Sequence, residues 1–453
     1  LLSLAFQSNP HTSFLIAWVG SIFNIFFVVK GYILPLPNDL SFKDQLFRPV
    51  FLSQLLFVGY MALTSIFFYL DVIGYKNFIK PLFFHINYTA LEETASSQRI
   101  YSLAHAAYSS GLLILMKYKK NPFWEINTEK VDANFFLKAA ILFTVLKFVF
   151  LFVPGLSQFS IKSSDLAYIS SIVALLYKSE NKKLQFYIIA LLFFLINFVQ
   201  ILFSGWKEPI IFTLIVFAAF LYPRYKKTVS IISVPVFFLI LVFLPSFNSV
   251  FRSLSWSEGV ESTVAAQVAI DAIQSGEVDI YEDNWSFLVA RVSEVSMFND
   301  YKRKVPKEID YYGFSIISNS FKFILPRLFW PDKPDIEEHV MKRVYEIGVV
   351  SQQMEVSAKP PLVVDAYLSG GPVFVFVFML LFGLFTSYIS TIVEYLFCGY
   401  NLGSTWVFIG LFQILNRGNC MEFFVNAVFW GVISMFILLF FLKKLNYIIP
   451  KSH

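Results

Sequence analysis

FKFILPRLFWPDKP, residues 321–334, interrupts a chain that is otherwise apolar almost from end to end. Its cations Arg327 and Lys333 stand among aromatic residues and three prolines, Pro326, Pro331 and Pro334. Proline fixes the backbone and ends helices, so the stretch predicts a stiff turn rather than a loose tail. It belongs to the one long polar excursion, 250–371, which separates two sets of apolar spans. The chain accordingly divides into amino-terminal spans (1–249), a long loop carrying short helices (250–371) and carboxy-terminal spans (372–453).

Outside that loop, composition decides the class. Hydrophobic residues make up 57% of the chain and charged residues 15%, with a mean hydropathy of +0.63. These values exclude a soluble globular protein and require a polytopic membrane protein, because apolar runs of about 20 residues recur along the chain. The spans lie near 12–36, 50–70, 102–116, 135–153, 166–177, 184–203, 210–222, 229–244, 372–393, 406–415 and 423–442. The expected fold is therefore all-α, with about 11 transmembrane helices. The weakest span, 102–116, is rich in Ala, Ser and Gly, which permits close helix packing and predicts an interior position. A polar loop with Glu92, Glu93 and Arg99 is expected before it.

Charge orients the array. Lys117, Lys119 and Lys120; Lys178, Lys182 and Lys183; Arg224, Lys226 and Lys227; and Lys443 and Lys444 fall on every second connection, which predicts that these connections are cytoplasmic. The long loop, with Arg252, Arg291, Arg327 and Lys333, then faces the opposite side together with the isolated cations Lys207 and Arg417 of the intervening connections. The net charge of +5 follows this topology; no basic stripe or RNA-binding motif points to nucleic acid. Cys398 and Cys420 are expected near opposite faces, without metal-ligand spacing, so neither a disulfide nor a structural metal is expected. The first residue is Leu, which suggests a missing initiator, a lost amino-terminal helix or a cleaved signal peptide.

Cations converging beside a bilayer suit an anionic ligand that arrives by way of the membrane, such as a lipid-linked phosphate or pyrophosphate. Lys207, in SGWKEPI (204–210), is either an interfacial anchor or a head-group ligand, with Glu208 orienting that group or acting as a base. Arg291 and Glu294, three residues apart on an amphipathic helix expected over 285–298, form an ion pair or leave Arg291 to a phosphate. Arg252 has the same choice. His339 is a solvated loop histidine or a proton acceptor. Asp365 is a helix-end cap or a carboxylate at the base of the cavity. Trp330, with Phe329, Tyr311 and Tyr312, belongs to an interfacial aromatic belt or stacks on sugars.

ILPRLFWPDKP (324–334), followed by VVDAYLSGGPVFVFVFMLLFG (363–383), resembles the O-antigen polymerase (Wzy-like), or oligosaccharide repeat-unit polymerase, family of bacterial membrane proteins. SGWKEPII (204–211) is similar to that family's cation-bearing loop, where Arg is commoner; Lys207 keeps the charge and loses the planar fork. The resemblance implies a metal-independent glycosyltransferase on the outer face of the bacterial inner membrane. Such an enzyme moves a growing glycan from one undecaprenyl-pyrophosphate carrier onto a repeat unit held on another, sometimes with a chain-length regulator. It implies pyrophosphate or glycan binding by Arg327, Lys333, Lys207 and Arg417, with Asp365 as the acidic position. Arg327, Lys207 and Arg291 would stabilise the leaving group without a cofactor, and Asp365, Glu208 and His339 are the candidate bases.

An O-antigen ligase would share the donor and differ in acceptor, and a requirement for His339 would favour it. A flippase or transporter of lipid-linked sugars would carry charges within several spans. A purely structural subunit would leave the PRLFWPDKP constellation unexplained. A monomer is the default expectation.

Overall fold

The computed structural model describes residues 1–82, 84, 86–118, 123–153, 155–177, 183–203, 207–327, 329–352 and 358–451. About 73% of the chain is helical, which settles the all-α class. The helices are α1 (Pro10–Val29), α2 (Pro49–Val72), α3 (Tyr88–Ile114), α4 (Ala133–Phe152), α5 (Ser157–Leu176), α6 (Leu184–Leu202), α7 (Lys207–Leu221) and α8 (Lys226–Arg252). Five shorter helices follow in the loop: α9 (Ser262–Ser275), α10 (Ile280–Ser286), α11 (Val295–Lys304), α12 (Ser315–Lys322) and α13 (Ile336–Ile347). Two long ones, α14 (Leu362–Leu396) and α15 (Met421–Lys444), complete the bundle.

Among the described residues, seven helices are long and apolar enough to cross a membrane: α1, α2, α4, α5, α6, α14 and α15. At 27 residues each, α3 and α8 match them in length, whereas α7 is apolar but shorter. The stretch 406–415, expected as a span, falls within a run of short buried helical pieces between Tyr400 and Arg417.

Two boundaries differ from the sequence expectation for identifiable reasons. The Asn87 side chain accepts the Ala90 N–H and caps α3, so Glu92, Glu93 and Arg99 lie on a helix rather than in a loop. Helix α14 starts at Leu362, so the polar excursion ends at 361 rather than 371. The expected start at Pro372 coincides with a break at Gly370 and Gly371, where Gly371 has φ 68°. A Cβ at Gly371 would also sit 2.7 Å from Tyr311 Oη, so glycine is needed there for conformation and for space.

The centre of the bundle is the crossing of α3 and α14. A Cβ added at Gly383 would lie 2.2 Å from Tyr108 O, and one at Gly111 2.2 Å from Leu380 O. Small residues here bring two backbones together, as in other close membrane-helix crossings. By contrast, α6 has only Phe186, Ala190 and Asn197 among its buried residues and lies at the periphery.

Two buried ion networks pin the opposite ends of α14. At its start, Arg343 on α13 donates to Asp365 Oδ1 (2.9 Å) and to Glu422 Oε1 on α15 (2.8 Å). Asp365 Oδ2 also accepts the Met421 N–H at 2.8 Å. At its far end, the fully buried Arg48 bonds Glu394 through Nε (3.0 Å) and an amino group (2.9 Å), and bonds Asp39 at 2.6 Å. Tyr118 lies under that guanidinium at 3.8 Å. Near this end the strand Trp124–Ile126 pairs antiparallel with Ile448–Pro450, and Lys443 sits over the Trp124 ring. The Lys443 and Lys444 end of α15 is thus opposite to its Met421 end, where Asp365 accepts the Met421 N–H and Glu422 meets Arg343.

Candidate functional site

A cavity of about 2100 Å³ runs between α2, α7 and α8. It follows α8 from Tyr225, just before the helix, to Arg252 at its last residue. At 1.5 Å per residue that is about 40 Å of helix. Phe, Leu, Ile and Val make up about half of the wall, and the volume exceeds the few hundred Å³ of an ordinary small-molecule pocket. The far end is different. Arg252, Arg291, Lys359 and Arg417 line it together with two carboxylates, Asp283 and Glu294.

Local chain geometry places each cation. Arg252 closes α8, which carries Pro235 and Pro245 inside it and passes into a π-helical turn, Ser253–Ser257. Arg291 lies in a second π-helical turn, Phe287–Val292. Such turns are rare and concentrate at functional sites. The two guanidinium groups lie within Coulombic reach of one another. Arg417 ends the last short piece before α15. It donates to Gln413 Oε1 at 2.8 Å and lies 5.4 Å from the centre of the Phe212 ring. The next residue, Gly418, has φ 70°, and a Cβ there would lie 2.5 Å from Phe57, so only glycine turns the chain at this point. Lys359 stands before Pro360 and Pro361, 3.4 Å from Glu337 and 4.6 Å from the Phe423 ring centre.

The amphipathic helix expected over 285–298 is broken. The π turn ends at Val292, and Glu294 takes a left-handed conformation, φ 53° and ψ 10°, before α11 begins. Arg291 and Glu294 therefore do not share a continuous α-helical face, and both line the cavity.

Arg252, Arg291 and Arg417 thus line one cavity, with Arg252 and Arg291 within Coulombic reach of each other, whereas the 321–334 turn contributes none of its described residues to the wall. Arg327 is half exposed, 3.8 Å from Asp335. Lys333 donates to the Phe323 and Leu325 carbonyls at 2.6 and 2.8 Å and staples the turn on itself. Burial, with Arg327 adding repulsion, lowers its pKa below the usual lysine range. Trp330 is half-buried in the same turn, its N–H bonded to Pro326 O at 3.1 Å. His339 packs on Phe323 with ring centres 5.0 Å apart, and burial lowers its pKa below the ordinary imidazole value. None of Arg327, Trp330, Lys333 and His339 is among the described lining residues.

Asp365 is fully buried in the Arg343 network rather than at the cavity base. It does cap a helix end, but that of α15 rather than its own. Burial opposes charge on Arg343, yet Asp365 and Glu422 more than offset this and raise its pKa. The side chains of Lys207 and Glu208 lie outside the described residues; their backbone opens α7, and Pro209, next in the chain, lines the cavity. Among the described residues, no three His, Cys, Asp or Glu side chains group to hold a metal.

Lys359 was not singled out by its sequence, although a cation before Pro360-Pro361 and an apolar helix was a readable sign. Another polar cluster lies within apolar helices. Lys162 on α5 donates to Leu411 O at 2.7 Å, Lys147 on α4 bonds Gln200, and Asp165 bonds Gln413, the residue that also holds Arg417.

Fold and cavity define an all-helical protein of the multi-pass membrane type, with a long apolar cavity that ends in a cluster of cations. More particularly, residues 1–450 match a family described as Domain of unknown function (DUF8712), and the chain belongs to that family. Neither the curated proteins nor the solved structures gave a match.

Proposed function

We propose that this protein is a metal-independent glycosyltransferase that polymerises lipid-pyrophosphate-linked oligosaccharide repeat units. The carriers would be undecaprenyl pyrophosphates, and the working face would be the outer side of a bacterial inner membrane. The observation that carries this reading is the shape and charge of the cavity. A groove that is apolar for the length of a membrane helix and cationic at one end matches a prenyl chain ending in a pyrophosphate. Arg252, Arg291 and Arg417 on its wall are groups that can stabilise a departing pyrophosphate. Of the cations expected to bind phosphate, Arg252, Arg291 and Arg417 line the cavity and carry this reading together with Lys359, whereas Arg327 and Lys333 are not among its described lining residues.

A second reading, passage of a lipid-linked anion across the membrane, draws on Lys147, Lys162 and Asp165, which lie in apolar helices. The ligase alternative gains less, because His339 packs beside Phe323 rather than lining the cavity.

The test is elongation of lipid-pyrophosphate-linked repeat units, extracted from cells that make the protein, by purified protein in nanodiscs. Wild type should lengthen the glycan. Arg291→Ala and Arg417→Ala should each slow it by about 100-fold, the usual loss on removing one group that stabilises developing charge. Arg327→Ala should stay close to wild type. Folded wild type that yields no longer product, yet exposes labelled lipid on the far face of sealed vesicles, would transfer the assignment to transport.

A further inference from the structure

Cations do not account for all the polar groups on the cavity wall. Asn248, one turn before Arg252 on α8, is 5% exposed, and neither its Oδ1 nor its Nδ2 has a protein partner. Tyr101 Oη on α3 and Ser293 Oγ after the second π turn are in the same position, at 0% and 2% exposure. All three residues border the cavity, with these unpartnered atoms just beneath its open surface. Buried polar atoms are nearly always satisfied, so three unsatisfied residues around one space indicate a ligand that completes them. An amide and two hydroxyls offer neutral donors and acceptors, which suit a polyhydroxyl group better than a second anion.

Glu294 lies beside this set. Its left-handed backbone is unusual for a non-glycine residue, and such strain persists only where the surroundings enforce it. Here both flanks are held. Thr64 on α2 donates to Val292 O at 3.3 Å, and Val295 is completely buried. The Tyr101 hydroxyl is within electrostatic reach of the Glu294 carboxylate, and its ring packs on Phe298 at 5.2 Å, one turn beyond Glu294.

We propose that Tyr101, Asn248 and Ser293 form the subsite for the acceptor sugar and that Glu294 is the catalytic base; this rests on the transferase reading. In the step, the acceptor hydroxyl oxygen bonds to the anomeric carbon of the donor. The bond from that carbon to the pyrophosphate oxygen breaks, and its electron pair leaves with the pyrophosphate. The hydroxyl proton passes to the Glu294 carboxylate. The two halves of the site are adjacent in the chain: Asn248 precedes Arg252 by one helical turn, and Ser293 and Glu294 follow Arg291 directly after Val292. Sugar and leaving group would therefore meet at the same end of the cavity.

The experiment uses full-length protein in nanodiscs, with a donor carrying several repeat units and an acceptor carrying one. Glu294→Gln should lower kcat by about 100-fold or more, the span of general-base catalysis, and remove the acid limb of the kcat-pH profile. Affinity for undecaprenyl pyrophosphate, measured directly, should be retained or rise, since the change removes a negative charge beside the cations and the group's role is only to accept the proton. Tyr101→Phe and Asn248→Ala should raise the acceptor KM and leave the donor KM unchanged. Glu294→Gly guards against misfolding, because glycine accepts the left-handed backbone without strain. It should melt at or above the wild-type temperature and still fail to transfer. A Glu294→Gly protein that is folded and active overturns the assignment of the base and leaves the transferase reading standing. Parallel rises in both KM values remove the acceptor subsite. Folded wild type without transfer removes the transferase reading and this inference together.

Discussion

Arg343 holds two carboxylates, Asp365 and Glu422, that are both fully buried. Such a network is marginal as a whole and costly to break in part, because removing the cation leaves charges without water or partner. Arg343→Met should therefore destabilise the protein by about 3–5 kcal/mol. Adding Asp365→Asn and Glu422→Gln should recover most of the loss, since the amides need no counter-charge. Thermal unfolding in nanodiscs checks both, and an unchanged melting temperature for Arg343→Met would show that the network holds nothing. At this scale the sequence was legible in residue type but not in partner. Asp365 stood out as a carboxylate just before a Gly-rich helix entry, yet its cation lies 22 residues upstream on a separate helix and its second contact is the backbone of α15. Glu294 shows the converse. Its spacing from Arg291 reads as an ordinary helical ion pair, and nothing local announces the break in φ that turns it to the cavity wall.

Helix α3 was readable as an interior element from its Ala, Ser and Gly content, because small side chains serve close approach. Its start was not readable, since the Asn87 cap brings Glu92 and Glu93 onto a helix that hydropathy alone assigns to a loop. The crossing with α14 gives a sharp expectation. Gly383→Ala should cost about 1–3 kcal/mol, because its Cβ would meet a backbone oxygen rather than a side chain that can move aside. Gly20→Ala on α1 has nothing within 4 Å and should be neutral or slightly stabilising. Equal melting temperatures for the two variants would mean that the crossing is looser than its backbone contacts imply. The polar cluster around Asp165 and Arg417 was invisible as a unit, because its members come from α4, α5, α6 and the short pieces before α15.

Across the whole molecule, the alternation of lysine clusters yielded the idea that the isolated cations share one face, and three of them, Arg252, Arg291 and Arg417, line a single cavity. The 321–334 turn drew attention because proline and aromatic residues make a conspicuous string, but conspicuous local stiffness here serves the turn itself, as Lys333 shows by bonding its own carbonyls. Transfer outside the cytoplasm requires the cationic end to face outward, and that is open to a direct test. Lys226 and Lys227 open α8, and Arg252 closes it beside the other cavity cations. Lys443 lies over Trp124, at the end where α14 meets Arg48. With Cys398 and Cys420 replaced by Ser, a single Asp310→Cys should react with a membrane-impermeant maleimide in spheroplasts. Glu129→Cys, exposed beside the Trp124 strand, should react only after lysis. The reverse pattern would put Arg252, Arg291, Lys359 and Arg417 in the cytoplasm. A lipid-linked donor would then have to be met before export, and polymerisation at the outer face could not be the reaction this cavity performs.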